Sequence, residues 1–333
     1  MTQPTNAPPA VGNARTPIGD GDAVPTTPDH ARRLDHPATV DSPKKIRWNV
    51  AASIAAIHAA ALAACFPWFF SWSGVIVFVL GVYCFGTLGI NLCYHRLLTH
   101  RGFKTPRWLE HSFAVLGMCS LEGSPASWVA AHRMHHQHAD VQPDPHSPLV
   151  DFFWSHISWL VVENHALTAA SGIPRYARDV CRDPFYFRLE RRNRWLLLYP
   201  IHAALFFLAG AALGWVLTST AIGAVQLGLS WVVWGVLVRT VVVWHITWSV
   251  NSFTHLFGYR NYNTGENSRN NWIVALLSNG EGWHNNHHAD QRSASHGHKW
   301  WELDVTYLTI LALRAVGLAK EVVQPQGRTP RKI

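Results

Sequence analysis

The sequence predicts an all-α integral membrane protein whose four transmembrane helices form two hairpins, with a helical cap on one side of the membrane. Two long stretches, residues 48–95 and 195–238, contain no Asp, Glu, Lys or Arg. Each is long enough for two spans of about 20 residues. Hydrophobic residues make up 48% of the chain, and the mean hydropathy of +0.02 averages the apolar stretches with polar termini. The local pattern therefore decides the class.

The segment before the first hairpin is expected to be a tail. Residues 1–42 are rich in Pro, Ala, Thr, Gly and Asp without apolar periodicity, which predicts disorder. This segment lacks the short apolar core of a secretory signal, so we expect neither cleavage nor export. Residues 43–320 form the predicted membrane domain, and residues 321–333 a basic C-terminal tail.

Each predicted hairpin contains a break between its helices. The first breaks at residues 67–74 and the second around Gly214 and residues 218–220. Neither break carries a charge, so the basic residues define the other ends of the spans. Those ends hold Lys44, Lys45, Arg47, Arg96, Arg101, Lys104, Arg107, Arg191, Arg192, Arg194 and Arg239. By the positive-inside rule, these ends, the cap and both termini are predicted to be cytoplasmic.

The remaining segments predict the cap. The aromatic-rich residues 108–116 and 152–160 are too short or too interrupted to span, which favours helices at the membrane interface. An apolar helix is predicted from Val305 to about Leu318. The net charge of +8 suits anionic lipid or an acidic soluble partner, but the basic residues are scattered, so no nucleic-acid partner is expected. The residues expected to anchor the cap at the lipid surface are Arg96, Arg101, Lys104, Arg107 and Arg133.

Eight histidines fall in three clusters, all on the predicted cytoplasmic side. One cluster has HxxxxH spacing and two have HxxHH spacing: His95 and His100; His132, His135 and His136; His284, His287 and His288. On a helix, residues three and four apart share a face, so each HxxHH presents three imidazoles together. Residues five apart are separated by about 140° on an ideal α-helix, so the first cluster is expected where a helix ends or bends.

Converging imidazoles predict a metal site, since neutral imidazole binds Zn, Cu, Fe and Ni. One tetrahedral site needs only four ligands, so eight histidines predict two ions. Within an HxxHH, the i+3 side chain diverges from the i and i+4 pair, so neighbouring residues can reach different ions. His255, one turn after Asn251 at the membrane edge, is a candidate ninth ligand. The candidates to hold the second ring nitrogens are Asp140, Asp144, Glu281 and Asp290.

Together these motifs resemble those of the integral-membrane Δ9 fatty acid desaturases that act on acyl-CoA or acyl lipids, in particular the bacterial branch. The resemblance covers about Val50 to Leu318 and is carried by residues 94–100, 132–146, 251–255 and 280–288. It implies a four-span non-haem diiron enzyme in the bacterial inner membrane. Such an enzyme inserts a cis double bond into a saturated acyl chain, using O₂ and two external electrons.

The resemblance also implies which residues bind each ion. One iron would be held by His95, His100, His132, His136 and His288. The other would be held by His135, His255, His284 and His287, with Asn251 acting through a water. Apart from the resemblance, Trp128 lies one turn before the middle cluster and is a candidate to line the acyl tunnel. The alternative is a place in the interfacial belt, to which most of the 17 tryptophans are expected to belong.

Two departures from the family pattern bear on substrate and electron supply. Ala130 and Ala131 precede the middle cluster, where the animal and fungal acyl-CoA enzymes typically carry Arg-Asp that holds the CoA head group. We therefore expect an acyl-lipid substrate, with an acyl-CoA or acyl-carrier thioester as the alternative. No cytochrome b5 module follows the last apolar helix, so the electrons are expected from a separate carrier such as ferredoxin.

Three other functions share parts of this pattern. A diiron hydroxylase, or a desaturase of another lipid, would use the same site and differ in its product. A metal transporter would use the histidines in transit and needs polar residues along the spans, where His58 and His202 alone do not make a pathway. A zinc hydrolase would need only one metal ion.

Overall fold

A computed structural model describes residues 33–168 and 172–326, and its regular elements in those ranges are helices. Within these described ranges, four helices are long and apolar enough to cross a membrane, as predicted. They are α1 (Trp48–Cys65), α2 (Trp72–Thr99), α5 (Leu198–Thr218) and α6 (Ala221–Phe253). The cap, defined as the elements outside these four, contains α3 (Arg107–Met118), α4 (Pro125–His138), α7 (Trp272–Leu277), α8 (His284–Ala289) and α9 (Val305–Ala315).

Shorter helical segments fill the connections. They lie at Pro67–Phe69, Trp154–Ser158, Trp159–Val161, His165–Leu167, Gly172–Tyr176, Arg178–Cys181, Pro184–Glu190 and Arg191–Leu197. The last of these contains a sharp turn, because Arg192 and Asn193 have positive φ. The aromatic-rich segments do form helices. Trp108 in α3 is 62% exposed, and Phe153, directly before the helix at Trp154–Ser158, is 70% exposed, as expected at the membrane interface.

The two hairpins turn where the sequence breaks, and hydroxyl groups cap the helices that follow. Ser71 accepts a hydrogen bond from the main-chain N–H of Gly74 (2.9 Å) at the start of α2. Thr220 caps α6 in the same way, through Gly223 (3.1 Å). The Oγ atoms of Ser71 and Ser230 lie 2.7 Å apart, which joins the first hairpin to the second.

The second half of α2 is π-helical, from Val82 to Thr99. Its hydrogen bonds therefore link residues five apart, and one continues past the end, from the N–H of His100 to the carbonyl of His95 (3.2 Å). This wider turn places both imidazoles on one side. The expectation that the first cluster lies at a helix end is met, because α2 ends at Thr99, directly before His100.

Two arginines expected at the lipid surface pair inside the cap instead, Arg96 buried and Arg133 half-buried. Arg96 is 1% exposed and forms ion pairs with Glu281 (2.7 Å) and Asp304 (2.8 Å) inside the cap. Arg133 pairs with Asp179 (2.7 Å). Because a desolvated guanidinium must satisfy its donors within the protein, the buried Arg96 needs both carboxylates. Both arginines tie distant segments together.

Arg239 was expected to mark the end of the fourth span, but it lies inside α6. Its side chain is fully buried and donates to His202 Nε2 (2.8 Å) and to the carbonyl of Cys119 (3.0 Å). The helix runs on to Phe253. The charge-free stretch therefore underestimates the length of this helix.

The described parts of both expected tails pack against the cap. The N–H of Leu34 bonds to the carbonyl of Leu149 (3.1 Å), and Val40 pairs with Asn164 in an isolated β-bridge. Near the other end, the N–H of Val323 bonds to the carbonyl of Gly102 (2.8 Å). The expected disorder therefore does not hold for residues 33–42. The rest of that tail, and residues 327–333, lie outside the described residues.

Candidate metal centre

Two cap helices place the HxxHH clusters. Ser124 accepts a hydrogen bond from the N–H of Ser127 (3.1 Å) and Pro125 occupies the first turn, so α4 begins one residue after Ser124. Helix α8 starts at His284, and the segment directly before it packs closely against α7. A Cβ on Gly282 would lie 2.1 Å from the main-chain N of Ala275, so only glycine fits there.

The nine predicted histidines form two sets, in which all are buried except the half-buried His100 and His136. In each set, one nitrogen from every residue lies within 4.8 Å of the others. The first set is His95, His100, His132, His136 and His287. The second set is His135, His255, His284 and His288. The structure thus brings together all nine, including His255.

The structure exchanges two ligands relative to the division expected from the family resemblance. His287 joins the first set and His288 the second, whereas the expectation was the reverse. The reason is local helix geometry. In an HxxHH, i and i+4 are about 40° apart around the helix, and i+3 lies about 60° to the other side of i. In both α4 and α8 the i and i+4 histidines share a set, and the i+3 histidine crosses to the other.

The spacing of the ring nitrogens fits coordination of a metal ion. Nε2 of His287 lies 3.1 Å from Nε2 of His95 and 2.9 Å from Nε2 of His136. In the second set, Nε2 of His284 lies 3.1 Å from Nε2 of both His255 and His288. Two ligands about 2.1 Å from one ion and at right angles are about 3.0 Å apart. The separations therefore match neighbouring ligands of one ion.

Unpaired nitrogens support the same interpretation. Among the described residues, the buried Nε2 atoms of His100 and His135 have no hydrogen-bond partner. A buried polar atom without a partner is costly, and a metal ion would satisfy each of these nitrogens. The residues present therefore fit two metal ions, one per set.

Carboxylates contact Nδ1 of several ligand histidines, the ring nitrogen opposite the one that faces the metal centre. Three of the four predicted carboxylates do so: Asp144 lies 3.0 Å from Nδ1 of His135, Asp140 2.9 Å from Nδ1 of His255, and Glu281 2.5 Å from Nδ1 of His95. These contacts fix which nitrogen faces the centre. The fourth, Asp290, accepts from the N–H of Gln326 (2.9 Å) and so holds the C-terminal segment.

Electrostatics keep most of the ligands neutral. Burial, followed by repulsion from neighbouring imidazoles, holds the pKa well below the ordinary value for His100, His132, His136, His284, His287 and His288. A neutral imidazole is the form that binds metal. Burial also opposes protonation of His255, but Asp140 outweighs it and raises the pKa of His255 to about 9.

Two residues around the centre escaped sequence reasoning. Glu266 lies 3.5 Å from Nδ1 of His288, and His296 lies 3.3 Å from Glu281 with its ring 4.3 Å from that of His287. Both are brought in by the loops around α8. His146, which lies within the motif region at residues 132–146, stacks on His135 at 4.4 Å.

Two further predicted residues lie beside the centre. Asn251 is half-buried in the last turn of α6, four residues before His255. Trp128 stacks on the ring of His132 at 4.9 Å, and its Nε1 donates to Glu122 (3.3 Å). A water-mediated role for Asn251 and a tunnel role for Trp128 remain predictions.

Comparison with known proteins identifies the family. The sequence model of the fatty acid desaturase family matches residues 71–311. The chain belongs to the fatty acid desaturase family. The sequence prediction of a membrane fatty acyl desaturase, an oxidoreductase, is confirmed. Histidine sets that can hold metal fit this metal-dependent family.

Relatives of this desaturase act on different acyl carriers. An sn-1 stearoyl-lipid 9-desaturase of Anabaena variabilis is 43% identical over 86% of this chain and 96% of its own length. An sn-2 palmitoyl-lipid 9-desaturase of Nostoc is 41% identical over 88% and 96%. An icosanoyl-CoA 5-desaturase of Limnanthes douglasii is 39% identical over 86% and 76%. This desaturase is thus similar both to enzymes named for acyl chains on lipids and to an enzyme named for an acyl chain on CoA.

Proposed function

We propose that this desaturase introduces a cis double bond at the Δ9 position of a saturated acyl chain carried by a membrane lipid. The reaction uses two iron ions, O₂ and two electrons from an external carrier such as a ferredoxin. The observation that carries the proposal is the pair of adjacent buried imidazole sets, five and four histidines, in one site. Imidazole suits iron, whereas zinc has no redox chemistry with which to use O₂.

Bound iron would supply the oxygen chemistry, and the chain's residues would position and protect it. The first ion would be held by His95, His100, His132, His136 and His287. The second would be held by His135, His255, His284 and His288, with Asn251 through a water. The carboxylates keep each ring fixed in one orientation, and burial of the ligands limits the access of water.

A lipid-linked substrate is favoured by the segment before the middle cluster. Neither Ala130 nor Ala131 carries a charge that could hold a nucleotide phosphate, and Ala130 is buried in the cap core. The relatives with the highest identity quoted above act on lipids. An acyl-CoA or acyl-carrier thioester is the alternative, and product analysis with defined substrates distinguishes them.

We place the acyl chain beside Trp128. Its indole borders the first histidine set through His132, and Glu122, which it contacts, also accepts from Thr247 (2.9 Å). Burial raises the pKa of Glu122 to about 8, so its carboxyl is neutral at pH 7. A neutral carboxyl avoids leaving a charge next to an apolar chain.

The proposed location is a bacterial inner membrane, with the metal centre and both termini in the cytoplasm. The basic residues at the cap side of the spans support this orientation. A cytoplasmic cap would meet a soluble electron carrier directly.

The test is the fatty-acid profile of a desaturase-deficient host that expresses the chain, with ferredoxin and reductase supplied. Gas chromatography with mass spectrometry should show a new cis monoene, absent with the His135→Ala variant, and should locate its double bond. Iron analysis of the purified protein should give two ions per chain. A hydroxylated product would instead indicate a hydroxylase, and a saturated profile in both strains would refute the proposal.

A further inference from the structure

Helix α7 has an exposed face made entirely of large apolar side chains. Trp272, Ile273, Leu276 and Leu277 are each more than half exposed, and their spacing places them on adjoining strips of one face. Single exposed apolar residues are ordinary. Four on one helix of six residues form a patch of the kind that marks contact with a protein or a membrane. We call these four residues the α7 face.

The opposite side of α7 holds the segment that leads into α8. Val274 and Ala275 are buried, and the main-chain N–H of Asn271 donates to the carbonyl of Gly282 (2.8 Å). Oγ of Ser278 accepts from the N–H of Gly282 (3.1 Å), two residues before α8 begins. Helix α7 is therefore a fixed part of the fold, and its apolar face is a stable surface.

Hydrogen bonds to α2 fix the depth of α7 in the molecule. Nδ2 of Asn91 donates to the carbonyl of Ser278 (2.7 Å), and Nδ2 of Asn279 donates to Oγ1 of Thr87 (2.8 Å). Helix α2 starts at Trp72, beside the turn of the first hairpin at the far side of the membrane. At about 1.5 Å per residue, Thr87 is about 23 Å and Asn91 about 29 Å from Trp72 along α2.

These distances place the end of α7 inside the apolar layer. They are upper limits, because the π-helical turns of α2 are wider and so rise less per residue, and because a tilt of α2 would bring the contacts closer to the far boundary. The exposed rings of Trp68, Phe70 and Trp72 mark that boundary as an aromatic belt. Since the hydrocarbon layer is about 30 Å thick, the contacts of α7 lie in the leaflet nearer to the cap.

Helix α9 continues this surface at a similar depth. The N–H and the hydroxyl of Thr306 both donate to the carbonyl of Asn279 (3.0 and 2.9 Å), so the first turn of α9 abuts the end of α7. Oγ1 of Thr309 lies 2.8 Å from the hydroxyl of Tyr83, which is further from the cap along α2 than the contacts of α7. Leu308 is exposed beside Thr309, so it adds to the apolar surface in this leaflet.

The segment directly before α9 has the composition of a membrane boundary. Trp300 is 83% exposed, and Nζ of Lys299 lies 5.9 Å from the ring centre of Trp301. Exposed indoles, and a lysine whose stem lies along aromatic rings, are typical of the head-group level. This composition agrees with a cap-side boundary close to the start of α9.

We propose that α7 and the first turns of α9 are inserted in the cap-side leaflet, where the α7 face and Leu308 bind the acyl chains of membrane lipids. These helices add a shallow membrane contact to the four spans. The chain outside the described residues offers little to cover this surface instead, since residues 1–32 and 327–333 contain no two adjacent large apolar side chains. The inference is independent of the reaction that the protein catalyses.

Photochemical labelling tests this contact on the unaltered protein. The full chain is reconstituted in phosphatidylcholine vesicles in which some of the lipid carries a diazirine on one acyl chain, and mass spectrometry maps the adducts after illumination. We expect adducts on residues 272–277, as on the exposed Leu205 and Leu208 of α5, and none on Val141. Val141 is the matched control, because it is an apolar residue of the cap that is as exposed as Leu276.

Substitutions at the same two places give a second readout. A carboxylate at an exposed position costs little in water but is expensive in the acyl layer. Leu277→Asp should therefore lower the unfolding temperature in vesicles by several degrees, and Val141→Asp should leave it unchanged. Leu277→Lys should lower it less than Leu277→Asp, because a lysine can extend its charge to the head groups.

The outcomes distinguish lipid from other occupants of the α7 face. Adducts on α5 without adducts on α7 would overturn the inference, and so would equal unfolding temperatures for the two Asp variants. Cross-links between the α7 helices of two chains, in place of lipid adducts, would show that a second copy covers this face. None of these outcomes depends on alkene formation, so the inference and the proposed function fail separately.

Discussion

At the scale of single residues, Asp140 and Glu281 are a matched pair because each holds a histidine of a different set. We predict that Asp140→Asn weakens metal binding at the second set and Glu281→Gln at the first, each by about 10–100-fold. Each variant should therefore keep about one ion per chain after dialysis, as measured by elemental analysis. Asp290→Asn is the control and should keep both ions, because Asp290 bonds to the main chain of Gln326.

The pattern of loss would test the division of ligands. If both carboxylate variants lost the same ion, as judged by the spectrum of the ion that remains, the two-set assignment would be wrong. Glu281 also neutralises the buried Arg96, so the unfolding temperature of each variant must be measured beside its metal content.

Glu122 makes a prediction about pH. Its pKa in the folded protein is about 8, raised by burial from an ordinary value of 4.5. Between pH 4.5 and about pH 8 the unfolded chain loses the Glu122 proton, while the folded protein keeps it. The free energy of unfolding therefore falls as pH rises through this range and levels off above pH 8. Glu122→Gln removes this dependence. Its unfolding temperature relative to wild type should therefore increase between about pH 5 and pH 8, and a constant difference would contradict the raised pKa.

At the scale of helices, Gly89 sets the distance between α2 and α3. A Cβ at this position would lie 2.4 Å from the main-chain N of Gly117, and main chain cannot move aside easily. Gly89→Ala should destabilise the protein by about 1–3 kcal/mol, measured by thermal unfolding in lipid. At Gly86 the nearest atom is a Val243 methyl at 3.2 Å, so Gly86→Ala should cost less. Equal losses would show that the α2–α3 contact is not the cause.

Sequence periodicity predicted which helices exist better than where they end or how they turn. The breaks near Pro67 and Ser219 are strong local signals, and the structure turns at both. The π-helical turns of α2 could not be predicted, because they depend on packing against the cap. The division between His287 and His288 is a different case. Helix geometry alone indicates it, but the family resemblance suggested the reverse.

At the scale of the whole molecule, charges were the least predictable feature. From sequence, Arg96 and Arg239 looked like charges at the membrane surface, but the fold supplies each with acceptors from distant segments. Arg96 reaches Glu281 and Asp304, and Arg239 reaches His202 and the carbonyl of Cys119. Glu266 and His296 were missed for the same reason. Local patterns identify ligands that share a helix, whereas partners brought together by loops require the fold.

The orientation of the whole molecule in the membrane is the last prediction. Ser219 is exposed in the turn between α5 and α6, and Arg188 is exposed on the cap. If the cap faces the cytoplasm, Ser219→Cys should react with a membrane-impermeant maleimide in intact bacterial cells. Arg188→Cys should react only after the inner membrane is opened. Both variants carry Cys65→Ser, because Cys65 is exposed as well.

The physical reason for this orientation is that basic residues stay on the side where the chain is made. Buried Arg96 and Arg239 do not weaken that argument, since Lys44, Lys45 and Arg47 still precede the first span on the cap side. The reverse labelling pattern would put the metal centre outside the cell, away from any cytoplasmic ferredoxin. It would therefore refute the proposed electron supply while leaving the desaturase family and the two histidine sets unaffected.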